Sequence, residues 1–129
     1  MNLSEYFFGT SGKGVLATAS SDGVVDAAIY SRPHVLDNER VAFIMRQRLT
    51  HSNLQSNPFA TYLFLEDGGG YKGLRLFLKK TGEDQDAALL AQMSRRHLSP
   101  EEDAAQGPKF LVYFKVEKVL ELIGGDSLQ

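Results

Sequence analysis

Cysteine is missing from this 129-residue chain. Disulfides, thiolate metal sites and a thiol nucleophile are therefore excluded, and an intracellular location is the expectation. An excess of one charge is missing too: 14 Lys and Arg against 16 Asp and Glu leave a net charge of −2. A protein that tracks a phosphate backbone needs a basic footprint, so no nucleic-acid partner is expected. No apolar run approaches the ~20 residues that span a bilayer. The N-terminal stretch carries Glu5 and lacks the long apolar core of a signal peptide. The expected protein is cytoplasmic, has no membrane partner and forms a single domain over 1–129.

What is present is strand after strand, punctuated by turns. Residues 15–20 read as a first strand, and Ser21-Asp22-Gly23 as a hairpin, because Asp-Gly readily supplies positive φ. Residues 24–35 read as a second strand, with Pro33 marking an edge or bend near its end. Residues 40–46 form a third. A short helix over 49–57 follows, stopped by Pro58. Residues 59–65 and 72–80 are strands four and five, joined across the flexible loop Gly68-Gly69-Gly70. The period then becomes helical, with Leu89, Leu90 and Met93 on one face. Asp84 and Asp86 stand at that helix's start and Arg95, Arg96 and His97 at its end, as a helix dipole favours. Ser99-Pro100-Glu101-Glu102 opens a second short helix with a capping box. Residues 110–123 form a long last strand. The expected fold class is mainly β: a six-stranded antiparallel split β-barrel, with a short helix after strand three and a helical pair before the last strand.

Several strands are apolar on both faces. Phe59, Leu63 and Leu65 oppose Ala60, Tyr62 and Phe64 in strand four, and Leu111 and Tyr113 oppose Phe110, Val112, Phe114 and Val116 in the last. A solitary antiparallel barrel shows water one face. The helical pair can cover one region and a second subunit the rest; the alternative is that the helices cover everything.

Candidate chemistry centres on Arg46-Gln47-Arg48-Leu49-Thr50-His51, where strand three turns into the short helix. Arginine forks match phosphate oxygens, and a helix start capped by Thr50 favours an anion. The same pattern also suits a solvated strand end with an ordinary threonine cap. His34, His51 and His97 are too scattered for a metal site, so none is expected. His51 either faces a ligand in the cup or stands exposed. No Ser-His-Asp arrangement is legible, so catalytic residues stay unassigned, and an enzyme built this way would leave its chemistry to a cofactor.

Gly14-Val15-Leu16-Ala17-Thr18-Ala19, Asp22-Gly23, residues 25–31 and 41–45, and Arg48-Leu49-Thr50-His51-Ser52-Asn53-Leu54 come in a telling order, followed by Ser56-Asn57-Pro58-Phe59-Ala60, Lys72-Gly73 and residues 114–119. In that order they resemble the pyridoxamine 5′-phosphate oxidase-like, FMN-binding split-barrel families. The likeness covers roughly residues 10–120. It implies a homodimer with FMN in a groove between the subunits. By that resemblance Ile29, Tyr30 and Ser31 line the flavin ring, and Met45 and Arg46 flank it. Arg48, Thr50 and Asn53 lie near the phosphate, and Lys72 reaches in from the partner subunit. Many relatives carry a lysine where Thr50 stands, so the phosphate charge here falls to Arg46 or Arg48. The chain also ends without the C-terminal Arg and His of the vitamin oxidases. The expected function is a flavin-dependent oxidoreductase with a small-molecule electron donor or acceptor. The alternatives are a non-catalytic flavin or haem carrier, and a cofactor-free dimeric interaction domain.

Overall fold

The computed structural model describes residues 1–95 and 98–128. Helix α1 (Leu3–Gly9) opens the chain, capped by the Asn2 side chain and burying Leu3 and Phe7. Strands β1 (Gly12–Ala19), β2 (Val25–Ile29), β3 (His34–Asp37) and β4 (Arg40–Arg46) follow, then helix α2 (Leu49–Ser56). Strands β5 (Phe59–Glu66) and β6 (Gly73–Asp84), helices α3 (Ala87–Met93) and α4 (Pro100–Ala105) and strand β7 (Lys109–Glu121) complete it. The seven strands form one antiparallel sheet in the order β2-β1-β5-β6-β7-β4-β3. Among the described residues no helix is long and apolar enough to cross a membrane.

The split-barrel expectation holds, but the strand count is corrected from six to seven. The single strand expected over 24–35 breaks at residues 30–33 into β2 and β3, which lie at opposite edges of the sheet. Laid flat, seven strands would put those edges about 29 Å apart. A link this short reaches only about 17 Å. The sheet must therefore curl until its first and last strands can be joined by four residues.

The link is tied down from inside the barrel. The Tyr30 amide donates to the Gly14 carbonyl at 3.0 Å. The fully buried Tyr62 hydroxyl donates to the Tyr30 carbonyl at 3.1 Å. Arg32 Nη1 donates to the Phe7 and Thr10 carbonyls at 2.7 and 3.0 Å, fastening the link to the end of α1. Around it lies an aromatic core: Phe43 sits 5.0 Å from Tyr62 and 5.9 Å from both Tyr30 and Phe114.

The helical pair falls where expected, with the Ser99–Glu102 capping box intact. Asp86 caps α3, whereas Asp84 is the last residue of β6. Arg95 lies beyond α3 and does not serve its C-terminus; Arg96 and His97 lie outside the described residues. Leu90 of α3 packs with Ala42 and Leu111, so the helices cover the outer face of β4 and β7. They do not cover the rest. On β1, β2 and β5, Val15 sits opposite Ile29 on one side and Leu63 on the other. Val25 and Ile29 are 79% and 77% exposed, Phe59 56% and Leu63 38%. The doubly apolar sheet is thus closed by helices at β4 and β7 and open at β1, β2 and β5.

Gly14 leaves room for this inner bracing, because a Cβ there would lie 1.9 Å from the Tyr62 hydroxyl oxygen. Tyr62 is fully buried and has nowhere to swing. Gly14→Ala is expected to cost about 1–3 kcal/mol through overpacking, read as a lower urea midpoint; an unchanged midpoint would show that the Tyr62 ring yields freely.

Candidate functional site

Strand β4 delivers its last side chains to the mouth of the curled sheet, opposite the link and beside the start of α2. Two adjoining cavities open there. One, of about 200 Å³, is lined by Tyr30, Ser31, Met45 and Arg48 together with Arg32, His34 and Arg95. The other, of about 310 Å³, is lined by Asp26, Ile29, Tyr30, Met45, Arg48 and Thr50. They share Tyr30, Ile44, Met45, Arg46 and Arg48, and so form one groove with an apolar floor. Of the residues expected to bind cofactor, Ile29, Tyr30, Ser31, Met45, Arg46, Arg48 and Thr50 meet in it.

Asn53 and Lys72 do not. Asn53 is buried behind α2, and its Nδ2 donates to Thr18 Oγ1 at 3.1 Å, pinning the helix to β1. Lys72 is exposed on the loop between β5 and β6 and lines neither cavity.

The two arginines differ in kind. Arg46 is spent on α4: Nη2 meets Asp103 Oδ1 at 2.6 Å, and Nη1 donates to the Gly107 and Asp103 carbonyls at 2.7 and 3.2 Å. Lys109 joins the same carboxylate at 3.1 Å. These donors hold the Asp103 carboxyl below its ordinary range, Arg46 first and Lys109 second. Arg46 therefore adds little unpaired charge to the groove. Arg48 is exposed, and no carboxylate among the described residues lies within ion-pair distance of it.

Thr50 requires a correction. It is not the cap of α2; Arg48 occupies that position with extended backbone and caps nothing with its side chain. Thr50 is buried two residues further on, with Oγ1 3.5 Å from Asp26 Oδ2 and in contact with the Tyr30 hydroxyl. The neighbouring strand supplies Thr50 with polar partners, so it turns inward. The helix start is left with amides that no side chain caps. Burial raises the Tyr30 phenol, a shift that the Thr50 hydrogen bond and the Arg48 charge partly offset. Tyr30 thus stands in the groove as a neutral donor.

His51 also departs from the cup. It is buried and stacked on Phe110 at 3.9 Å, with Nε2 3.0 Å from Glu83 Oε2. Lys80 Nζ and Gln55 Nε2 reach Glu83 Oε1 at 2.6 and 2.9 Å. Burial alone would raise the Glu83 carboxyl, but the Lys80, Gln55 and His51 hydrogen bonds outweigh it and bring it down to about 2. The cluster locks α2 to the end of β6 rather than serving a ligand.

Sequence reasoning missed Asp26, Arg32 and Arg95. Asp26 carried a signal, being the one ionisable residue in Val24-Val25-Asp26-Ala27-Ala28-Ile29. Arg32 and Arg95 carried none, because only the fold brings residues 63 apart together: Arg95 Nη1 donates to the Arg32 carbonyl at 2.5 Å.

No family model and no curated protein sequence matches the chain. Solved structures do match it. An FMN-binding protein from Syntrophomonas wolfei shares 15% identity at a TM-score of 0.74, over 92% of this chain and 82% of that one. An F420 reductase shares 17% at 0.69, over 90% and 94%. A Clostridium acetobutylicum protein of the pyridoxinephosphate oxidase family, related to general stress protein 26, shares 12% at 0.67, over 97% and 89%. At these identities the likeness shows the fold: the chain is built as these split barrels are.

The Glu83 cluster makes a pH prediction. The folded carboxyl is depressed from its ordinary value of 4.5 to about 2. Its contribution to stability is therefore present above pH 4.5 and lost as pH falls toward 2. Urea midpoints of the wild type should exceed those of Glu83→Gln near pH 6, and the gap should shrink as pH falls below 4.5 and close near pH 2; a gap that stays constant over that span would contradict the assignment.

Proposed function

We propose that the protein binds flavin mononucleotide as a homodimer, with the ring in the groove between the end of β2 and β4 and the phosphate at the start of α2. The observation that carries this reading is the groove itself. Ile44 and Met45 make an apolar floor, Tyr30 stands at its edge as a donor, and the unpaired Arg48 lies beside uncapped helix amides. An arginine fork next to free helix N–H groups suits a phosphate. The Asp26 carboxylate repels an anion at Thr50, so the phosphate is assigned to the Arg48 side.

A flavin supplies hydride and electron transfer when bound; the chain's part is to anchor, orient and exclude water. Backbone at residues 29–31 and at Met45 orients the ring, and Arg48 anchors charge. The exposed apolar face of β1, β2 and β5 runs into the groove at Ile29, which lines one of the two cavities. A second copy seated on that face would bury it and wall the groove. Lys72, remote from its own groove, is then free to serve the partner's. With a small-molecule donor and acceptor the assembly is a flavin-dependent oxidoreductase of the pyridoxamine 5′-phosphate oxidase-like type, resident in the cytoplasm.

A carrier without catalysis is the second reading, and one observation favours it. Burial, aided by the Arg95 charge, pushes His34 down to about 4, while Tyr30 is raised. Neither shifted group exchanges a proton near neutral pH, where a general acid or base works best.

Added FMN should give the purified protein a flavin spectrum and quenched flavin fluorescence. Arg48→Ala should weaken the titrated affinity about 10- to 100-fold, the loss of one charged phosphate contact. Unchanged affinity would remove Arg48 from the site, and a protein that ignores FMN would sink the reading. Reduction of the bound flavin by NAD(P)H separates enzyme from carrier, and a monomer mass in sedimentation equilibrium would contradict the dimer.

A further inference from the structure

Charge is unevenly spread along the groove. At the α2 end Asp26 faces Thr50, and Arg48 is the available cation. The adjoining cavity is lined by Arg32, Arg95 and His34 as well as by Arg46, Arg48 and Lys109, and no Asp or Glu among the described residues lines it. The nearest carboxylate partner of its other cations, Asp103, is already shared by Arg46 and Lys109. Among the described residues, the positive charge of Arg32 and Arg95 has no counterpart there.

Both guanidiniums are held in place without being neutralised. Arg32 Nη1 is bonded to the Phe7 and Thr10 carbonyls. Arg95 Nη1 is bonded to the Arg32 carbonyl at 2.5 Å and directed at Ser31 Oγ at 3.4 Å. Neutral oxygens fix the two forks and leave their charge intact. Burial and the nearby Arg32 charge both work against the charged form of Arg95. His34, kept neutral by burial and by Arg95, adds no third cation. Arg32 is half-buried and Arg95 exposed, and two like charges at one cavity repel each other unless an anion joins them. The cavity of about 200 Å³ has space for several waters, hence for one oxyanion group.

We propose that Arg32 and Arg95 form a second anion subsite, which takes the phosphate or carboxylate of a small-molecule ligand lying alongside the cofactor. The cofactor's own phosphate is assigned to Arg48, so the second-ligand role rests on the flavin reading, while the subsite itself does not. Its ligand is an anionic substrate, and Arg95, reaching in from the end of α3, sets that preference. The arrangement gives the helical pair a part in recognition besides covering the sheet.

Inorganic pyrophosphate, titrated calorimetrically with and without saturating FMN, is the probe. Binding in both conditions is expected, weakened about 10-fold or more by Arg95→Gln with FMN affinity unchanged. Arg95→Lys keeps the charge but not the fork, and should fall between; it decides the matter if Arg95→Gln fails to give a wild-type circular dichroism spectrum. Pyrophosphate binding through Arg95 in a protein that refuses FMN would uphold the subsite and remove the flavin reading. No pyrophosphate binding in either condition would overturn the proposal, as would equal affinity in the wild type and both variants. Displacement of pyrophosphate by FMN, with weaker FMN binding in Arg95→Gln, would overturn it too, by giving Arg95 to the cofactor phosphate.

Discussion

The four-residue link from β2 to β3 is the constraint on which the rest depends. It joins the two edges of a seven-stranded sheet across a gap that a flat sheet would make about 29 Å wide. Closing that gap by curling buries the aromatic core and brings the end of β2 against β4. The bracing is local and specific: the Tyr62 hydroxyl holds the Tyr30 carbonyl, Gly14 leaves space for that hydroxyl, and Arg32 ties the link to α1. The groove is the place where this closure leaves the wall incomplete. Tyr30, Ser31 and Arg32, the residues that close the barrel, are therefore the same residues that line it.

Electrostatics then divide the groove. Arg46 and Arg48 leave the same strand end two residues apart, yet α4 claims one and leaves the other. Asp103 supplies both a carboxylate oxygen and a carbonyl to Arg46, and Gly107 a second carbonyl, so three of the five Arg46 donors are held by the structure. Arg48 receives nothing comparable and faces outward at the start of a helix whose first amides are uncapped. At the other end Arg32 and Arg95 are positioned by neutral oxygens. Arg46 is thus claimed by α4, whereas Arg48, Arg32 and Arg95 have no carboxylate partner within ion-pair distance among the described residues.

Much of this was legible in the sequence wherever the signal was local. Asp22-Gly23 at the first hairpin, the Ser99–Glu102 capping box and the alternation of Leu74, Leu76 and Leu78 in β6 each located an element. The break at residues 30–33 was only hinted at by Pro33, because a bend and a change of sheet edge leave the same mark. Helix α1 rests on Leu3 and Phe7, four apart, too short a pattern to stand out. The site was legible in position and less so in roles. That residues near 30 and near 48 converge followed from the order of strands and the resemblance it carries. That Thr50 turns inward, that Arg46 is spoken for, and that His51 stacks on Phe110 all depend on partners 24 to 59 residues away, which spacing along the chain does not reveal.

The central claim is that a flavin phosphate rests on Arg48 at the start of α2. Riboflavin and FMN differ by that phosphate alone, so the ratio of their dissociation constants isolates its contact with the protein. Measured by flavin fluorescence in the wild type and in Arg48→Ala, the preference for FMN over riboflavin should be large in the first and fall about 10- to 100-fold in the second. An equal preference in both proteins would contradict the account.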